Sequence, residues 1–260
     1  MSEHRRRFLE DLHLPPDTSE YAGLQCLEEA MDQAYRRFTE DLQSPFVIFA
    51  NLPPDEFEKH GENFPGRVDY SATLQLLILT MVSLPHEVAA SDVDNRMYDK
   101  AKNIGIRRTL TFRRCTCTGN DRKKQADCSW MPRHRPPGRT AQWPSVALEV
   151  AYSESRDKVK KDMEYWLNQS DDVQMAISFE IKRRNGNIFI TAWKPIQEIK
   201  ICRAKVGQRP YVTGDNNLII PFPYIMLRNP NSDQGEHDLV FTRKDLLEIA
   251  DDVWDAMDNM

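Results

Sequence analysis

The segment Val146–Tyr152 reads VALEVAY. Along a strand Val146, Leu148 and Val150 point one way, and Ala147, Glu149 and Ala151 point the other. Both faces are apolar except at Glu149, which is the pattern of a central strand covered on both sides. Such a strand fits a layered α/β body with helices over its sheet. A carboxylate placed there loses hydration, at a cost of several kcal/mol unless a cation or donors compensate. The small Ala147 and Ala151 leave room beside it. Glu149 is therefore either a strand-end carboxylate that reaches a helix N-terminus or an arginine, or a metal ligand or catalytic group.

A length of 260 residues suits one large domain or two small ones. With 40% hydrophobic and 29% charged residues, a disordered polyelectrolyte and a fibrous repeat are both excluded. The longest apolar stretch, Leu74 to Val82, is broken by Gln75 and Thr80. It falls short of the roughly 20 residues that cross a bilayer, so no membrane association is expected. The charged start MSEHRRRFLEDL lacks an apolar signal region, and five cysteines accompany it. The expectation is an intracellular protein, cytoplasmic or nuclear, with free thiols.

Periodicity predicts a helix over about Ser19–Leu42, a loop over 51–68, a buried strand within Ala72–Val82 and a helix over His86–Ile104. Thr109–Thr118 alternates weakly, and Ser155–Leu167 is helical with Val159, Met163 and Trp166 on one face. Val173–Ile181 and Ile188–Trp193 form a hairpin about Asn185-Gly186, further strands lie within Leu218–Leu227, and Thr242 caps a last amphipathic helix. The organisation predicted is a helical and loop extension over 1–68, then one α/β domain over 69–260 ending in a helix.

The net charge of −5 conceals an asymmetry. Ten bases and two acids fall between Arg107 and Arg139, about +8, while the remainder carries about −13. A basic segment on an acidic body attracts phosphates locally. Arg113, Arg114, Arg122, Lys123, Lys124, Arg133 and Arg135 are the candidate nucleic-acid contacts, with a solvated arginine-rich loop as the plainer alternative. At the end of this run lies a second acid, Asp127, in KQADCSWMPR. Two acids on adjacent strands can converge on one Mg²⁺, which prefers carboxylate oxygens and retains waters.

Asp127 in QADCSWMP, Glu149 in PSVALEVAYSES and a helix ending EYWL resemble the restriction endonuclease-like domains of the PD-(D/E)XK superfamily. The likeness is to a bacterial group and, more closely, to a fungal branch. It spans about Asp69 to Trp193, and loosely reaches Trp254. The resemblance implies a restriction-endonuclease-like core with a mixed central sheet flanked by helices. It also implies Mg²⁺ (or Mn²⁺) held by Asp127 and Glu149, and metal-dependent hydrolysis of nucleic acid. His86 or Glu87, opening the first core helix, falls where relatives add a polar group to the site.

The pattern breaks at the lysine expected two positions after the second acid, where Ala151 stands. In the bacterial group that lysine is displaced to the next helix, four residues before a tyrosine, and Lys161 with Tyr165 matches the spacing. Helical geometry sets Lys161 nearly opposite the apolar face, whereas Lys158 and Lys160 flank it, so all three are candidates. The missing lysine keeps open an alternative: a catalytically degenerate member acting as a nucleic-acid or protein binding module. Glu180-Ile181-Lys182 also spells E-x-K, on what reads as a half-solvated hairpin strand. Cys115, Cys117, Cys128 and His134 have poor spacing for structural zinc.

Overall fold

The computed structural model describes residues 2–41, 44–113, 116–119, 121–152, 154–205 and 207–260, with the side chains of 39–41, 62 and 118 excepted. The chain begins with α1 (Glu3–Asp11), β1 (Ser19–Glu20), α2 (Leu24–Asp41), β2 (Phe46–Ala50), α3 (Pro54–His60), β3 (Arg67–Ser71) and β4 (Leu76–Thr80). It continues through α4 (Leu84–Asn103), β5 (Leu110–Arg113), β6 (Thr116–Thr118), β7 (Arg122–Gln125), β8 (Cys128–Pro132), β9 (Val146–Tyr152) and α5 (Arg156–Asn168). The remaining elements are β10 (Met175–Ile181), β11 (Ile188–Trp193), β12 (Ile196–Cys202), β13 (Tyr211–Gly214), β14 (Leu218–Ile220), α6 (Phe222–Met226), β15 (Leu239–Phe241) and α7 (Arg243–Asp258). None of the described helices is long and apolar enough to cross a membrane.

Two compact units divide these elements. The first joins Met1–Val82 with Thr116–Gln125 and Glu154–Lys161, and the second takes the rest, so α5 is shared at Lys161/Asp162. In the first unit the sheet order among the described residues is β1-β2-β4-β3-β7-β6. Leu9, Leu12 and Leu14 of the α1 region pack with Ile48, Ala50, Leu76 and Ile78 of that sheet.

In the second unit the order is β13-β12-β11-β10-β9-β8-β5. Only β9 and β10 in it run parallel among the described strands, joined by the α5 crossover; the other neighbours are antiparallel. The protein is thus mixed α/β with mixed sheet pairing. β9 is central and buried at every residue, as its two apolar faces predict.

Several local expectations are corrected. The long N-terminal helix starts at Leu24 rather than Ser19, because Gly23 (φ +104°) breaks the chain and Ser19–Glu20 pairs with β2 instead. The 51–68 stretch holds α3: Pro53 and Pro54 sit at its start, with Asp55 and Glu56 in the first turn and Lys59 and His60 in the last. The prolines there open a helix rather than interrupting one. The 1–68 segment also supplies β1 and β2 and runs into β3. Of Leu218–Leu227 only β14 is strand; α6 follows from Pro221. The Thr242 cap forms as a reciprocal box with Asp245.

On α4, Asp92 faces Asp252 of α7. Burial, then the neighbouring carboxyl, push Asp92 up to about 6, against the opposing pull of Arg96. The folded protein therefore keeps a proton between about pH 4 and pH 6 that the unfolded chain releases, and stability falls as pH rises through that window. Asp92→Asn removes this dependence. It is expected to match the parent below pH 4 and to exceed it at pH 7.5 by about 1 kcal/mol, a discounted figure because the site is partly open to solvent. Parallel urea-stability profiles from pH 4 to 8 would refute it.

Candidate active site

Glu149 stands on β9 with 8% of its surface exposed. Its face of the sheet follows from the register. Ser178 of β10 is its parallel partner, and Ala147 and Ala151 on the same side pair with Ala176 and Glu180. Ala147, Ala151 and Ala176 are small, and Glu180 is a second buried acid on the same face. One donor to the buried carboxylate is Trp166 of α5, whose indole Nε1–H donates to Glu149 Oε1 at 2.6 Å. The helical periodicity marks Trp166 only as core. Its second role is invisible there because it depends on where α5 crosses β9.

Asp127 precedes β8 and is 1% exposed. β8 and β9 pair antiparallel through Cys128–Leu148, Ser129–Ala147 and Trp130–Val146. Asp127 occupies the bend just before β8, one residue beyond the last paired position, Cys128–Leu148. Asp127 also closes the ladder at this end: the Val150 N–H donates to its Oδ2 at 2.7 Å. His86 of α4, itself buried, brings Nε2 to 3.2 Å from the same oxygen. Glu87 lies beside it, Oε1 4.0 Å from His86 Nδ1. Of the two polar residues that open α4, His86 is the one in contact with the acid.

That hydrogen bond has a measurable consequence. Asp127→Ala leaves a buried N–H of β9 unsatisfied and is expected to cost about 1–3 kcal/mol, whereas Asp127→Asn retains an acceptor oxygen and costs less. Equal urea midpoints for the two variants would contradict this role.

The candidate lysines lie in the first unit's share of α5. Lys158 is buried, its Nζ 5.4 Å from the Phe46 ring centroid. Lys160 is exposed. Lys161 Nζ stands 3.0 Å from Asp11 Oδ1.

The E-x-K of β10 differs from expectation. β10 is interior, between β9 and β11, and Glu180 is 4% exposed with Lys182 Nζ at 2.8 Å. Its polar-looking face is not solvated: Ala176 and Ser178 are buried, and Trp193 Nε1–H donates to Ser178 Oγ at 3.1 Å. Glu149, Ser178 and Glu180 therefore share one buried face of two adjacent strands.

The basic run is divided between the units. In the first, Arg122 grips Asp69 through Nε and Nη2, Lys123 pairs with Glu58, and Lys124 is buried opposite Asp69 in the β3–β7 register. In the second, Arg113, Arg133 and Arg135 are exposed, and Arg113 Nη1 reaches the Ala141 carbonyl at 3.4 Å. Arg114 and Cys115 lie outside the described residues. Counting along the chain thus overstates the free positive charge: carboxylates of the first unit engage Arg122 and Lys123.

Among the described residues, no group of three His, Cys, Asp or Glu side chains is arranged to hold a metal ion. A cation here would rest on two carboxylates and water, which is the habit of Mg²⁺ rather than of zinc.

No family model matches the sequence, and no curated protein matches it. Among solved structures, a protein from Anabaena variabilis described as "a putative nuclease belonging to DUF820" is similar at 18% identity and a TM-score of 0.44, covering 75% of this chain and 97% of that one. A likeness of that size assigns no role to any residue of this chain.

Proposed function

We propose that the second unit is a restriction-endonuclease-like, nuclease-type centre in which Asp127 and Glu149 bind a divalent cation for hydrolysis of nucleic-acid phosphodiesters. What supports the reading is the hydrogen bond from the Val150 N–H to Asp127 Oδ2 at 2.7 Å, which ties one buried acid to the residue next to the other, Glu149. Two carboxylates fit Mg²⁺, which keeps waters of its own. A bound cation would supply charge neutralisation at the phosphoryl oxygens and a more acidic water.

The chain's own groups have definite tasks in this scheme. Trp166 fixes one oxygen of Glu149 by its hydrogen bond, which orients the carboxyl plane. Val150 N–H and His86 do the same for Asp127. Arg113 and Arg135 are exposed and available to phosphates. The test is cleavage of plasmid and single-stranded DNA in Mg²⁺ or Mn²⁺, abolished by chelation. No cleavage under either metal defeats the enzyme reading.

A second reading has its own support. Ala151 stands where the lysine of the motif is expected, and both acids already accept hydrogen bonds from within the unit. A binding module on the same scaffold then shows no Mg²⁺ affinity by calorimetry, with salt-sensitive nucleic-acid binding and no cleavage.

A further inference from the structure

At the other end of β8 from Asp127, roughly 20 Å away by strand rise, the second unit holds a pocket of about 570 Å³. Tyr98, Lys102, Gly105, Arg107, Arg108 and Arg133 line it. The pocket forms because α4 ends at Asn103, Gly105 turns the chain at φ +79°, and Arg133 is tied beside the turn by its backbone N–H to the Thr109 carbonyl at 2.8 Å. Four cations converge there. None of the four is paired with a carboxylate among the described residues.

Two features separate this cluster from a solvated charge run. The Arg107 guanidinium carbon lies 4.2 Å from the Tyr98 ring centroid and 4.8 Å from that of Phe112, so both rings hold the fork in place. Its Nε is shielded from solvent and has no hydrogen-bond partner among the described residues. A shielded donor of that kind costs stability unless an acceptor reaches it. The C-terminus of α4 offers about half a negative charge, enough to favour one cation but not four. The surplus calls for an anion.

We propose that this pocket is a binding site for a phosphate-bearing ligand larger than a lone phosphate. Guanidinium forks match the oxygens of a phosphoryl group two at a time, which a simple ammonium does not. The pocket exceeds one phosphate in volume, and Tyr98, 40% exposed, offers an aromatic surface at its rim. A nucleotide, free or at the end of a strand, has both parts. The site is separate from Asp127 and Glu149 and stands without the nuclease reading.

The test is equilibrium binding to the full chain in a chelator, so that neither metal nor cleavage enters. Pyrophosphate and a 5′-phosphorylated single-stranded oligonucleotide are the two probes. Arg108 and Arg133 are exposed, so the double variant Arg108→Gln/Arg133→Gln retains the fold. It is expected to weaken binding at least about tenfold and to flatten the salt dependence. Loss of pyrophosphate binding identifies a small phosphate ligand, and loss confined to the oligonucleotide identifies a strand. Absence of binding to both probes, or equal binding by the variant, overturns the site.

Discussion

Arg122→Met destabilises the protein by about 3–5 kcal/mol. Arg122 donates from Nε to Asp69 Oδ1 at 2.6 Å and from Nη2 to the second oxygen, within a buried part of that unit. Burial is the largest influence on the Asp69 carboxyl and pushes it up, but Arg122, Lys124 and Lys158 together outweigh it and hold the group below the usual carboxylate range. Removing the guanidinium strands a desolvated charge. The two lysines soften the loss, which favours the lower end of the range. Arg122→Lys keeps the charge without the fork and should fall between. In the parent, Asp69 contributes stability above the ordinary carboxylate pKa, and that contribution is lost as pH falls through the lower folded value. Arg122→Met should therefore be hurt most near neutrality and least in acid. Urea unfolding at pH 7 and pH 3 checks both statements, and a loss below 1 kcal/mol at pH 7 would contradict them.

On the nuclease reading, Glu149→Gln cleaves at least about 10²–10³-fold more slowly, because several kcal/mol of charge stabilisation depends on the bound cation. The variant isolates chemistry from folding. Glutamine is isosteric, and its carbonyl oxygen still accepts from Trp166 Nε1, the bond that Glu149 makes at 2.6 Å. Its melting temperature should stay near that of the parent, and nucleic-acid binding should persist. Cleavage equal to the parent would assign the activity elsewhere, with Glu180 and Lys182 on the neighbouring strand the first place to look.

Features that depend on local pattern are legible in the sequence. The two apolar faces of VALEVAY predict a covered central strand, and β9 is one. The hairpin at Asn185-Gly186 and the Thr242 cap are likewise written in a few adjacent residues. Features that depend on pairing between distant segments are not. Asp127 and Glu149 are recognisable as unusual acids, but the tie of Asp127 to Val150, next to Glu149, follows from how β8 meets β9. Trp166 as a donor and His86 as the contact to Asp127 follow from helix placement. The basic run is contiguous along the chain, yet β6 and β7 enter one sheet and β8 another, so its charges part company. Glu180 reads as half-solvated for a related reason: alternation marks a polar face but not the segment that covers it.

The interleaved path of the chain bears on how the protein is made. β3 pairs with β7, and Asp69 meets Arg122, more than fifty residues downstream. During synthesis the first eighty residues leave the ribosome with that edge unpaired and that carboxylate unmatched. The first unit closes only after residue 161 has emerged. A nascent chain in this interval offers an open strand edge to other chains. A fragment ending at Val82 would carry the same defect permanently, so such truncations should be recovered as aggregates rather than as folded pieces.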